Sequence, residues 1–161
     1  MQRARRRHCN LTASAPSAAA KAPLYTAQVL AMAVRLADFP LGSHLPLTGE
    51  ARSRSCGSTL EIGLAVDGAG RIAQAGCRAR ACAVGQAAAG LFLESAVGRN
   101  ADDLAQARGA LAQWLTGEGP LPDWPGLTLL DPARAFPARH GATLLAWDAA
   151  LAALASDPLL R

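Results

Sequence analysis

The run Gly76-Cys77-Arg78-Ala79-Arg80-Ala81-Cys82-Ala83-Val84-Gly85-Gln86-Ala87-Ala88-Ala89 constrains the fold more than any other stretch. It ends a β-type segment and opens a long alanine-rich helix, with the thiol of Cys82 at the junction. A helix N-terminus carries partial positive charge and free N–H groups, which favour a thiolate, the form that binds metal or accepts sulfur. A second cysteine, Cys56, stands just before the strand that leads into this region. The pairing points to metal or sulfur chemistry.

The pattern around this junction orders the rest of the chain. Residues 24–37 read as a helix, with Leu24, Val29, Leu30, Met32, Ala33 and Leu36 as expected core contacts. Phe39-Pro40 ends it, and residues 41–55 read as a loop punctuated by Gly42, Pro46 and Gly49. Thr59 to Val66 alternates, placing Leu60, Ile62, Leu64 and Val66 on one face of a half-buried strand. Asp67-Gly68-Ala69-Gly70 is a turn, and Arg71 to Ala79 returns as the second arm of a hairpin. A helix over 83–97 closes on Gly98, and Asn100 heads another that carries Asp102 and Asp103 in its first turn and runs to about Leu115. Three prolines make 117–130 a loop, Asp131-Pro132 caps a short helical turn, and a last helix starts near Pro137. Helix, hairpin, then helices predict an α+β domain: a small antiparallel sheet of about three strands with helices on one face.

At 161 residues the chain forms one domain over 24–161, preceded by a 1–23 extension read as disordered. That extension is rich in Arg, Ser and Ala and superficially resembles a transit peptide; a disordered tail or an early start codon is the plainer reading. It also carries the charge. The net +4 of the chain comes from Arg3, Arg5, Arg6, Arg7 and Lys21, whereas residues 22–161 hold eleven arginines against twelve acids, a net of −1. No basic face for nucleic acid is evident, and aromatics are scarce at 4%. No apolar run approaches the roughly 20 residues of a membrane helix, and no secretory h-region precedes the domain. The four cysteines are therefore read in a reducing, cytoplasmic, bacterial setting, where spaced thiols serve metals or catalysis more often than disulfides.

Taken singly, each chemistry-bearing residue has a plain structural reading. Cys56, in Ser55-Cys56-Gly57-Ser58, is an incidental loop cysteine or a thiol exposed by the turn at Gly57. Cys82 is a small buried residue or a helix-terminal ligand; Cys77 reads as core, and Cys9 as incidental to the tail. His140, in Arg139-His140-Gly141-Ala142, is a helix-terminal surface histidine or a ligand. Their shared setting carries the argument: Cys56, Cys82 and His140 each lie at a loop-to-element junction, where side chains converge on one end of a compact domain. Two thiolates and an imidazole suit zinc or an iron–sulfur centre. There is no CxxC or HxxxH pattern, so spacing alone is no metal signature.

Taken jointly, these segments resemble the U-type iron–sulfur cluster assembly scaffolds: IscU, SufU and the N-terminal domain of NifU. The resemblance runs from Leu24-Tyr25 to about Trp147. Leu24-Tyr25 is similar to the family's opening helix, and Cys56-Gly57 with the following strand and Asp67-Gly68-Ala69-Gly70-Arg71-Ile72 to its first ligand cysteine and hairpin. Ala81-Cys82-Ala83-Val84-Gly85-Gln86-Ala87 resembles the segment of the second cysteine. Gly98-Arg99 resembles its Gly-Lys, and Arg139-His140-Gly141-Ala142-Thr143-Leu144 its last motif. Two departures stand out. Ser58 occupies the place of the Asp that follows Cys-Gly, and Gly141 that of the third cysteine.

The resemblance implies a SufE/NifU-like fold. It also implies a metal site of Cys56, Cys82 and His140, with Ser58 as an auxiliary ligand. The expected function is a scaffold that binds iron and a transient 2Fe–2S cluster for transfer to recipient proteins, with a cysteine desulfurase as the other partner. Two alternatives accompany it: a zinc-bound sulfur relay, and a metal-free regulatory binding module. No nucleophile–base–acid set, Gly-rich phosphate loop or carboxylate pair is present, so no enzyme activity is expected.

Overall fold

Residues 22–158 are described by the computed structural model, and residues 1–21 of the expected extension lie outside them. The hairpin forms as its alternation dictates. Strand β2 (Thr59–Val66) buries Leu60, Ile62 and Leu64 completely. It pairs antiparallel with β3 (Ile72–Arg80). The Asp67 carboxylate closes the turn by accepting the N–H groups of Ala69 and Arg71, each at 2.9 Å.

A further strand, β1 (Leu47–Arg52), lies inside the stretch expected to be loop and pairs antiparallel with β2, giving the order β1-β2-β3. Its inward positions are Leu47, Gly49 and Ala51, and the last two are too small to mark a strand by hydrophobic alternation. They are small because a helix lies on them. A Cβ on Gly49 would fall inside the backbone of Ala149 and Ala153.

That helix is α4 (Pro137–Ala155), which begins at Pro137 as expected and covers β1 and β2. Before it come α1 (Ala27–Arg35), α2 (Ala83–Ala96) and α3 (Ala101–Thr116). Thr26 caps α1, and a 3₁₀ turn over Leu36–Asp38 replaces the last part of the longer helix expected. Val29 is buried, and Leu24, Met32, Ala33 and Leu36 pack against the core. Leu30, expected with them, is 46% exposed because its face of α1 points away from α2. Asn100 and Asp103 form a reciprocal capping box at the start of α3, and Gly117 ends that helix in the left-handed region. A 3₁₀ segment over Leu127–Ala135 includes the turn expected at Asp131-Pro132.

Helix α2 is buried on almost every side, which accounts for its alanines and glycines. Gly90 meets Met32 of α1, and Gly85 meets Ala142 of α4. Three aromatic rings fill the space beside it. Phe92 stacks on Trp124 at 5.5 Å, and Trp147 stands edge-on to both at 5.2 Å. The indole N–H of Trp124 donates to the Leu91 carbonyl, while that of Trp147 is buried with no hydrogen-bond partner among the described residues.

On the other face, residues 39–45 form a strap. Cys77 donates its N–H to the Phe39 carbonyl and accepts that of Leu41, so Pro40 lies along the outer edge of β3. The chain then crosses the sheet over the cross-strand pair Gly63–Gly76, where Leu41 and Leu45 fill the space that side chains would need.

Gly49→Ala forces a methyl group into the backbone of α4 and is expected to cost about 1–3 kcal/mol in chemical denaturation. Gly109→Ala is the control. Nothing lies within 4 Å of its Cβ position in α3, so it is expected to stabilise by about 0.5–1 kcal/mol.

Candidate functional site

The loop between β1 and β2 is a tight turn over residues 53–58. Ser53 donates its N–H to the Ser58 carbonyl at 2.8 Å, Gly57 donates to the Ser53 carbonyl at 2.9 Å, and Gly57 adopts φ +71°. This geometry directs the Ser53 and Ser58 side chains inward, where both are buried, and leaves Cys56 half-buried between them. The Cys56 Sγ lies 3.2 Å from Ser53 Oγ and 3.1 Å from Ser58 Oγ.

Burial alone would push this thiol up. Hydrogen bonds from the Ser53 and Ser58 hydroxyls and the Ser58 backbone, with the positive charge of Arg139, outweigh it and bring it from 9.0 down to about 7. Hydrogen counting shows how the cluster responds. Ser55 donates its one hydroxyl proton to the Ala138 carbonyl at 2.9 Å, and its oxygen lies 3.1 Å from that of Ser53. While the thiol is protonated, Ser53 can donate to Ser55; once it ionises, Ser53 turns its proton to the sulfur.

The same end of the domain holds the other candidates. Thr59 pairs with Arg80, so the residues leaving β3 toward Cys82 emerge beside the Cys56 turn. Cys82 is the N-cap residue of α2, half-buried and with no side-chain capping bond. His140 sits in the first turn of α4, but its Nε2 lies 3.2 Å from the Arg134 carbonyl, facing the preceding 3₁₀ segment. Gly141 follows it. A Cβ there would stand 2.6 Å from Ser53 Oγ and 3.4 Å from Ser55 Oγ. The structure thus brings Cys56 and Ser58 into direct contact and sets Cys82 at the same end, while the His140 ring is engaged elsewhere. Among the described residues, no three His, Cys, Asp or Glu side chains are grouped to hold a metal ion. Cys77 is buried on the inward face of β3, where desolvation raises it to about 11, in keeping with its reading as core.

Comparison with known proteins gives this geometry a context. No family model and no curated protein sequence matches the chain. Solved structures do. The N-terminal part of a nitrogen-fixing NifU-like protein from Brucella abortus superposes with a TM-score of 0.74 at 28% identity, covering 82% of this chain and 92% of that one. The chain resembles the U-type scaffold domains in fold, as its sequence led one to expect. A protein named as an iron–sulfur cluster assembly scaffold for the SUF system of Fervidobacterium islandicum AW-1 shares the fold. Its TM-score is 0.71 at 19% identity, with 81% of this chain and 96% of that one covered.

The structure shows what surrounds Ser58 and Gly141, the two departures from that family. The residue at 58 gives the sulfur a hydroxyl donor, and the space beside residue 141 is filled by Ser53. Ser53, Ser55 and Arg139 were not singled out from the sequence. The crowding of serines in Ser53-Arg54-Ser55-Cys56-Gly57-Ser58 was the available signal, since hydroxyls that close to a cysteine can solvate its anion.

Alkylation of Cys56 by iodoacetamide is expected to rise with pH to a midpoint at about 7. Removing donors destabilises the anion, so Ser53→Ala and Ser58→Ala should each move the midpoint upward, and the double variant should move it toward 9.0. Midpoints unchanged in both variants would rule out the hydroxyls as the cause.

Proposed function

We propose that the protein is an iron–sulfur cluster assembly scaffold that takes iron and sulfide as cargo at Cys56 and Cys82 and passes a 2Fe–2S cluster to recipient proteins. The observation that carries this reading is a thiol lowered to about 7 by its hydroxyl neighbours, at the end of the domain where a second thiol heads a helix. The neighbour from Fervidobacterium islandicum AW-1, named as a cluster assembly scaffold, supports it at the level of the fold.

The donor set suits cargo rather than a resident metal. Two thiols and one imidazole leave a position for sulfide, an exogenous thiol or a second subunit, and an under-ligated cluster is easier to hand over. His140 would join as third ligand by releasing the Arg134 carbonyl. Ser58 Oγ, which accepts from the protonated Cys56 thiol, would turn to donate to the sulfur once it ionises. The expected partners are a cysteine desulfurase as the source of sulfur and apoproteins as recipients, and the expected setting is the bacterial cytoplasm.

One observation favours a second reading. The Ser53 hydroxyl fills the space in which a side chain at 141 would supply a further donor. A module built this way could bind a desulfurase and regulate it without metal, and that binding would survive replacement of Cys56 and Cys82 together. A closed tetrahedral zinc site is less favoured, because two thiols and one imidazole are a ligand short.

Anaerobic reconstitution with iron and sulfide separates these readings. The wild type is expected to hold iron and acid-labile sulfide in equal amounts, with sulfide-to-iron charge-transfer bands, and Cys56→Ala and Cys82→Ala to hold neither. His140→Ala should shorten the lifetime of the cluster. Undiminished iron and sulfide in Cys82→Ala would sink the proposal.

A further inference from the structure

The ten arginines of the described residues fall into two sets. Arg35, Arg71, Arg78, Arg108 and Arg134 each pair with a carboxylate within 4.0 Å, and Arg99 lies over the Trp124 ring. Arg52, Arg54, Arg80 and Arg139 have neither kind of partner among the described residues. Every Asp and Glu of the chain lies between Asp38 and Asp157, so no side-chain carboxylate beyond the described residues is left to pair with them.

These four share one place. Arg52 and Arg80 flank Thr59 in a single cross-strand row on the solvent face of the sheet. Arg54 is in the Cys56 turn, Arg80 lies two residues before Cys82, and Arg139 opens α4 and acts on the charge of Cys56. The next row inward holds Glu50, Glu61 and Arg78, of which Glu61 and Arg78 pair at 2.6 Å. The positive charge at this end is not a general property of the fold. Residues 22–158 hold ten arginines against twelve acids, a net of −2. Four like charges gathered without counter-ions weaken a compact state, and folding by itself does not call for the arrangement.

We propose that this end of the domain is a docking surface for an acidic protein segment whose carboxylates meet Arg52, Arg54 and Arg80 as the segment approaches Cys56. Guanidinium forks match carboxylates bidentately and retain their charge at any working pH. Nucleic acid fits the surface less well. The exposed large hydrophobics of the described residues include no aromatic from this end on which a base could stack. The inference rests on the scaffold reading in one respect, that Cys56 is the reacting group.

The test uses the metal-free full chain and two peptides of equal length. One is rich in Glu and Asp, the other has Gln and Asn in their place, and each ends in a cysteine activated as a thionitrobenzoate disulfide. The Cys56 thiolate attacks the peptide sulfur and forms a mixed disulfide, while the electron pair of the broken S–S bond leaves on coloured thionitrobenzoate. No added oxidant is needed. Mass spectrometry of the peptide spanning residues 55–71 assigns the product to Cys56.

At low salt the acidic peptide is expected to react at least about tenfold faster, the lower end of electrostatic steering. That advantage should collapse at high salt and in the Arg52→Gln/Arg54→Gln/Arg80→Gln variant. Both peptides share one thiol and one leaving group, so their rate ratio does not depend on how readily Cys56 ionises. Equal rates in the wild type, or an advantage untouched by the three substitutions, would overturn the proposal. So would a single-stranded oligonucleotide that competes more strongly than polyglutamate of equal charge. No cluster takes part, so a failure here leaves the scaffold reading standing, and a failed reconstitution leaves the rate ratio to be judged by itself.

Discussion

Helix α4 lies on β1 with almost no side chain between them, and the rest of the domain is arranged around that approach. A glycine stands at each end of the contact, one on either element. Gly49 of β1 admits the backbone of Ala149 and Ala153, and Gly141 of α4 admits the hydroxyls of Ser53 and Ser55. Two such points on one helix fix both its position along the sheet and its direction. Helix α2 then nests against α4 at Gly85 and against α1 at Gly90. Close backbone approach substitutes for bulky side chains as the source of dispersion contacts, which is how alanine and glycine can line so much of the contact between these helices. The thiol turn inherits this precision, because the Ser55 bond to the Ala138 carbonyl ties it to the start of α4.

Where side chains carried the structural signal, the sequence was legible. Leu60, Ile62 and Leu64 announced β2, Asn100 and Gly117 bracketed α3, and Pro137 opened α4 where expected. Where backbone proximity carried it, the sequence was silent. Strand β1 has Gly49 at the centre of its inward face, so its amphipathicity is expressed by the absence of a side chain. Leu30 failed for the converse reason: a helix with one neighbour has a narrower buried stripe than its apolar residues suggest. At the candidate site, Cys56 and Cys82 could be picked out because cysteine is rare and both lie at element ends. The roles of Ser53 and Arg139 could not, because they depend on how the turn and α4 are brought together in space.

The hydroxyls around Cys56 can solvate its anion without the help of a metal. A carboxylate at position 58 would repel a thiolate in the free protein and compensate only when a cation arrived. A hydroxyl does the reverse, supporting the negative sulfur whether or not a metal is present. Arg139 adds to the same effect, and Ser53 fills the space beside Gly141.

The strap along β3 has a consequence for how copies of this sheet can meet. Pro40 lies against the outer edge of that strand, and the backbone groups of Cys77 on that side already bond Phe39 and Leu41. In the order β1-β2-β3, this leaves β1 as the flank with no strand beside it among the described residues. A ribbon that grows by strand addition needs two open flanks on every unit. Here the first pairing of β1 with β1 would use up the open flank of both molecules, so edge-to-edge assembly ends at two chains and cannot propagate into a fibre.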